Sequence, residues 1–294
     1  LNMYHEEAGE GMENFGKEDI NMPYLVLCQS NTPFVKKNSE KYVPGAEEGD
    51  ILSTYNNRVY KSFKTPAQTD TSNLGVLVVP CHYQRGYYEF EIDADGNITK
   101  FVDDHPTTTR MLAHCEKKQI GDRKIWIRND NGHAIIDIAY HFVMVLDEDE
   151  PEGAYPCVIK FKGSNHAANK DWNTGITSRK LKLPNGKQVS LASYHQVWRL
   201  YTIGRDDGEN SWCIFKPEYV GPLKDANIAH LGKSFKETVT TGGGKPIDHT
   251  ADMEDVAQSE SNGAAATPSE SFSNSKAEPA TAGATQGSDS NLPF

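Results

Sequence analysis

Apolar and polar residues alternate through much of the first 220 positions, with the period of two that marks a half-buried strand. ILSTYNNRVYKSF, from Ile51 to Phe63, splits into two such runs about Asn56-Asn57. Asn tolerates the positive φ of a tight turn, so the stretch reads as a hairpin. GVLVVPCHYQ (75–84) reads as a strand in which Pro80, lacking an N–H, marks a bulge or an edge. QRGYYEFEI (84–92) and NITKFV (97–102) flank Asp95-Gly96 as another hairpin. The clearest is KIWIRND with HAIIDIAYHFVMVLD, joined at Asn131-Gly132. PCVIKFKG, VSLASYHQVWRLYTIG and SWCIFKPEYV complete the set, with Asp207-Gly208 in the last turn.

Helical stretches are few. Helices are expected over Pro106 to Lys118, over Ser164 to Leu183 with Ser164 as N-cap, and over Asp225 to Glu237. Many strands, short turns and few helices define a mainly β class, with an elaborated OB-like β-barrel, closed or half-closed, as the expected architecture. No internal repeat is evident.

Composition shifts near Thr240. Residues 241–294 hold eight acidic and two basic side chains and no Tyr or Trp, giving a net charge of -6 within a chain of -11. Such a segment buries too little apolar area to offset chain entropy, and disorder is expected. The expected division is a flexible segment over 1–22, a body over 23–240 and an acidic tail over 241–294. No apolar run reaches the roughly 20 residues of a membrane span, and mean hydropathy is -0.64. The opening, LNMYHEEAGEGMENFG, has no basic stretch followed by an apolar one, so no signal peptide is read there, and a start at Leu1 points to residues upstream. The five cysteines are odd in number and widely spaced, against a disulfide framework or a CxxC zinc site. Four lie in apolar or aromatic stretches and read as buried thiols, in a reducing cytoplasmic setting.

The familiar catalytic motifs are absent: no P-loop, GxGxxG, HExxH or GxSxG. TGGGKP (241–246) lacks the spacing of a phosphate loop and reads as linker. DADGN (93–97) lacks the terminal Glu of a calcium loop and reads as a turn. Neither a catalytic residue nor a metal or cofactor is expected. What stands out is a mixture of bases and aromatics on strands. HYQRGYYEF places Tyr83, Arg85 and Tyr87 on one face and Tyr88 and Phe90 on the other, so one face is core and the other presents rings beside a guanidinium. Lys160 to Lys187 is a basic island of net +6, with Lys160, Lys162, Lys170, Arg179 and Lys180 interleaved by Phe161 and Trp172. A second cluster, including Lys124 and Arg128, surrounds Trp126. Rings stack on bases and cations track phosphates, so these two regions are the candidate nucleic-acid contacts.

With these features, the tail's end at Asp289, Leu292, Pro293 and Phe294 resembles the single-stranded DNA-binding proteins of bacteria and their phages. That resemblance implies an OB-fold body that coats and protects single-stranded DNA in replication or recombination. It also implies a tail tip that docks on replication or recombination proteins. The opening GMENFGKEDINMPYLVLCQSNTPFVKK, with YVPGAEEGDIL, resembles a group of tailed-phage proteins. Two rivals remain at this level. One is a metal-dependent nuclease using Asp103, Asp104 and His105 with Glu89 or Glu91. The other is a phage structural or host-interaction protein.

Overall fold

The computed structural model describes residues 22–120, 123–208 and 210–242. The fold is mainly β. In chain order the strands are β1 (Tyr24–Leu27), β2 (Ile51–Ser53), β3 (Val59–Tyr60), β4 (Phe63–Lys64), β5 (Val76–Ile92), β6 (Ile98–Pro106), β7 (Cys115–Ile120), β8 (Arg123–Arg128), β9 (Ala134–Leu146), β10 (Ala154–Phe161), β11 (Lys180–Lys182), β12 (Gln188–Ser190), β13 (Gln196–Asp206) and β14 (Ser211–Pro222). Twelve of them form one mixed sheet along the path β14-β13-β5-β9-β10-β1-β2-β3, with β4, β6, β7 and β8 branching from it. β11 and β12 pair separately as a short arm. Two α-helices lie among the described residues, α1 (His166–Ser178) and α2 (Ala226–Gly242).

The expected hairpin turns at Asn56-Asn57, Asp95-Gly96, Asn131-Gly132 and Asp207-Gly208 all join antiparallel strands. The two strands expected over 75–92 are one 17-residue strand, β5, whose register against β9 shifts between Pro80 and His82. Pro80 therefore marks a bulge. The sheet does not close into a continuous barrel, because β3 and β14 end the ladder unpaired with each other. It curls because the chain, soon after β3, enters β4 and pairs in parallel with β13. Gly75 makes that curl possible. It has φ +71°, and a Cβ there would lie 1.9 Å from the Leu200 carbonyl oxygen. The free edge of β14 is covered by side chains: Gln29 exchanges two hydrogen bonds with the Cys213 backbone at 2.8 and 2.9 Å, and the Phe215 N–H donates to Asn165 Oδ1 at 2.9 Å. Satisfied edge groups do not recruit another strand.

The interior of the curl is apolar, built from Leu25, Ile51, Val78, Val143, Ile159, Phe161, Leu200 and Phe215. α1 lies against it and drives Trp172 into the centre. Gly175 of α1 fits over Trp198, where a Cβ would meet the ring at 2.5 Å. α2 covers the other face of the sheet, with Val239 against Tyr88, Phe90 and Phe142, and Ile228 against Val79 and Met144. Asp225 caps α2, its Oδ1 accepting from the N–H groups of Asn227 and Ile228 at 2.8 and 3.2 Å.

One expected helix is not formed. The stretch from Pro106 to Lys118 makes two 3-10 turns, Thr107–Thr109 and Met111–His114, and then β7. Three β-branched threonines disfavour the helix, and Arg110 at φ 49° reverses the chain. The second expected helix ends early, at Ser178, because Lys180–Lys182 pairs with β12. The third runs through Gly242, past the composition change. The cysteines are free; four are buried. Burial pushes the thiols of Cys28, Cys81, Cys157 and Cys213 up to about 12, so they stay protonated and unreactive.

Candidate nucleic-acid interface

Strand register decides which side chains share a face, because directly paired residues project on the same side. In the β5–β9 ladder Tyr83 pairs with His141, Arg85 with Ala139, Tyr87 with Asp137 and Glu89 with Ile135. In β8–β9, Trp126 pairs with Ile135; in β7–β8, Lys117 pairs with Trp126 and Cys115 with Arg128. Tyr83, Arg85, Tyr87 and Glu89 of β5 therefore share one face with Lys124, Trp126 and Arg128 of β8 and Lys117 of β7. Two clusters well separated in sequence form a single strip. α1 covers this face as far as Asp137, whose carbonyl accepts from His166 Nε2 at 2.9 Å. Beyond that point the turn Met111–His114 packs on Tyr87 and Ile135 with Trp126 at its edge, and Lys117 and Lys124 remain exposed. Tyr88 and Phe90 face the other way into the core beneath α2, as the parity of the stretch requires.

Within the strip the side chains divide by availability. Tyr83 is exposed, tilted against His141 at 5.1 Å. Trp126 is half-buried beneath Lys117, whose Nζ sits 5.6 Å from the ring centroid, and Lys124 is exposed. Arg85 is held by Asp137, its Nε donating to Oδ1 at 2.7 Å and its Nη2 to Oδ2. That pairing raises the guanidinium pKa above its ordinary value. Arg85 thus arrives neutralised and orients the strip more than it offers free charge. Tyr87 is withdrawn into a small cluster with Met111 and Ile135 and has almost no free ring face.

Trp172, expected as a stacking platform, is core. It is fully buried, stacked on His141 at 4.2 Å with its ring between Phe161 and Trp198. Its neighbours in sequence, Asp171 and Asn173, are polar, but its own position on α1 points at the apolar interior, and no base reaches it without unfolding. His141 is buried with it and keeps a hydrogen bond between Nε2 and Asn169 Oδ1 at 2.8 Å. Desolvation by burial lowers its pKa to about 4, the Asn169 bond opposing only in part, so it is neutral.

At the far end of the strip stands Glu89, only 2% exposed. Burial raises a carboxyl pKa, but here four partners outweigh it and hold Glu89 at about 2. Oε1 accepts from Asn131 Nδ2 at 2.6 Å and meets His133 Nδ1 at 2.7 Å; Oε2 accepts from Arg128 Nη1 at 2.7 Å and meets His105 Nε2 at 2.7 Å. Sequence alone raised Glu89 and His105 only as nuclease ligands. The pair does come together, but both carboxylate oxygens are occupied by donors. Asp103 lies exposed nearby, and Asp104 follows Tyr88 onto the other face. Among the described residues no group of three His, Cys, Asp or Glu side chains is arranged to hold a metal ion. The hub instead ties β5, β6, β8 and the β8–β9 turn together. Its members His133 and Asn131 were missed; laying the Asn131-Gly132 hairpin on β5 by parity points them out.

The basic island does not assemble. Lys160 lies on the opposite face, 4.2 Å above the Tyr24 ring, while Lys162 follows β10 at the start of the turn into α1. Lys170 is on the outer side of α1, and Arg179 packs 4.2 Å over Tyr219. Lys180 and Lys182 project from the β11–β12 arm, with Lys187 in its turn, in a stretch free of acidic residues from Trp172 to Arg205. Asp289, Leu292, Pro293 and Phe294 lie outside the described residues.

Fold and strip define a mainly β protein, with a curled sheet and a partly exposed face of rings and cations beside a helix. The chain belongs to the Pam3 phage gp34-like protein family, whose model matches residues 1–245. A phage family agrees with the resemblance of the opening segment. No curated protein and no solved structure matches the chain. No helix among the described residues is long and apolar enough to cross a membrane.

Proposed function

We propose that this phage-family protein binds single-stranded DNA along the β5–β8 strip, without catalysing a reaction on it, and so coats and protects the strand in phage replication or recombination. The observation that carries the reading is the register: it sets Tyr83, Trp126, Lys117 and Lys124 on one partly exposed face although they come from three strands. Tyr83 and Trp126 offer ring faces to unpaired bases, each stack worth about 1–3 kcal/mol. Lys117 and Lys124 sit where a phosphate backbone would run past the rings. Duplex DNA hides its bases, so ring stacking favours single strands.

Titration of the full chain with a labelled single-stranded oligonucleotide, repeated with its duplex, tests this. The reading expects quenching of tryptophan fluorescence and tighter binding to the single strand. Equal binding to both forms, or none at low salt, overturns it.

A further inference from the structure

Between α1 and β13 the chain makes an arm that joins no other strand: β11 and β12 pair only with each other. Lys180 pairs with Ser190, Leu181 with Val189 and Lys182 with Gln188. Paired residues project on the same side, so Lys180, Lys182, Gln188 and Ser190 share one face, and all four are exposed. Lys187, exposed in the turn, adds a third cation. None of the three lysines forms an ion pair among the described residues. We propose that the arm is a second nucleic-acid contact, one that enters a groove of duplex DNA and is separate from the strip that takes single strands.

The charge points to a polyanion. The chain carries a net charge of -11, yet no acidic residue occurs from Trp172 to Arg205. A polyanion is repelled by the net charge and steered to such a stretch. The shape points to a groove, because the major groove admits a two-stranded ribbon. Three paired positions at about 3.4 Å each reach about 10 Å, against a groove about 8.5 Å deep. Phosphates line both walls within reach of the lysines, and the Gln188 amide suits a base edge. From Lys180 to Ser190 the arm has no aromatic residue, hence no ring for an unpaired base to stack on. The arm is also fixed at both ends. At the tip the Leu183 N–H donates to the Lys187 carbonyl at 2.8 Å and the Gly186 N–H to the Leu183 carbonyl at 2.9 Å. At the root the Leu191 N–H donates to the Arg179 carbonyl at 3.0 Å. Buried Gln196 donates through Nε2 to the carbonyls of Ile176 and Leu191, each at 3.0 Å. A ribbon held in this way loses little freedom when it docks.

The experiment measures binding of the full chain to a labelled duplex and to a labelled single strand over a range of salt. The unaltered protein is expected to bind the duplex at low salt, more weakly than the single strand. Lys180→Gln, Lys182→Gln and Lys187→Gln together should flatten the duplex slope of log K against log salt by about 2.7, or about 0.9 for each phosphate no longer neutralised. Single-strand affinity and slope should stay unchanged. All three side chains are exposed, so the fold should tolerate the change. A control with Lys36→Gln and Lys37→Gln, exposed between β1 and β2, should leave both probes unchanged. No duplex binding at low salt, an unchanged duplex slope, an equal loss on both probes, or an equal loss in the control overturns the proposal. Duplex binding that depends on the arm, with no binding of the single strand, upholds the arm and overturns the strip.

Discussion

Replacing Glu89 by Gln tests whether the polar hub holds the strip in shape. The substitution keeps the shape of the side chain and removes its charge. Glu89 is folded with a pKa of about 2 against an ordinary 4.5, burial being outweighed by the bonds from Asn131, His105, His133 and Arg128. At about 1.4 kcal/mol per unit, that depression is worth about 3 kcal/mol of stability. The folded pKa lies below the unfolded one. The contribution is therefore complete above about pH 4.5 and is lost as pH falls through about 2. The substitution also leaves Arg128 with the exposed Asp130 as its anion in place of the buried Glu89. Urea denaturation of the full chain at neutral pH should show Glu89→Gln less stable by about 3 kcal/mol. Repeated at decreasing pH, the gap should close, since protonated Glu89 then resembles Gln. A variant as stable as the parent at neutral pH, or a gap unchanged near pH 2, would refute the reasoning.

Three further outcomes follow from the same geometry. Trp126→Ala should weaken oligonucleotide binding by about 1–3 kcal/mol with the thermal midpoint nearly unchanged, whereas Trp172→Ala should destabilise the fold by about 3–5 kcal/mol; the reverse pattern in melts and titrations would exchange their roles. Lys117→Gln with Lys124→Gln should flatten the slope of log K against log salt by about 1.4, or about 0.7 for each phosphate no longer neutralised, and an unchanged slope removes both lysines from the backbone path. Gly75→Ala adds a Cβ 1.9 Å from the Leu200 carbonyl oxygen at φ +71° and should cost about 2 kcal/mol or more in urea unfolding; an unchanged midpoint would show that the β4–β13 closure does not depend on it.

Much of the sheet was legible because its strands obey period two and its turns carry Asn-Gly, Asp-Gly or Asn-Asn. The parity of HYQRGYYEF alone separates Tyr83, Arg85 and Tyr87 from Tyr88 and Phe90, and the structure keeps that separation. Three things were hidden. The curl depends on β4, two residues long, pairing with Thr202 and Ile203 far along the chain, and no local pattern encodes such a pairing. Trp172 looks like part of a basic surface because its sequence neighbours are charged. On a helix the neighbours that matter are three and four residues away, and Ala168 and Ile176 place it inward. Lys160 to Lys187 is compact in sequence but spans a strand, a helix and an arm, so its charge is spread over different sides of the molecule. The Tyr83–Trp126 strip, by contrast, was visible as two halves, and only the β8–β9 and β5–β9 registers join them.

Ultraviolet crosslinking of the full chain to a single-stranded oligonucleotide, followed by mass spectrometry of the joined peptides, tests the central claim most directly. Binding on the β5–β8 strip predicts adducts at Tyr83 and Trp126, the rings of the strip that keep exposed surface, with none at Trp172. Adducts confined to other surfaces, such as α2 or the face bearing Lys160 and Tyr24, would contradict it.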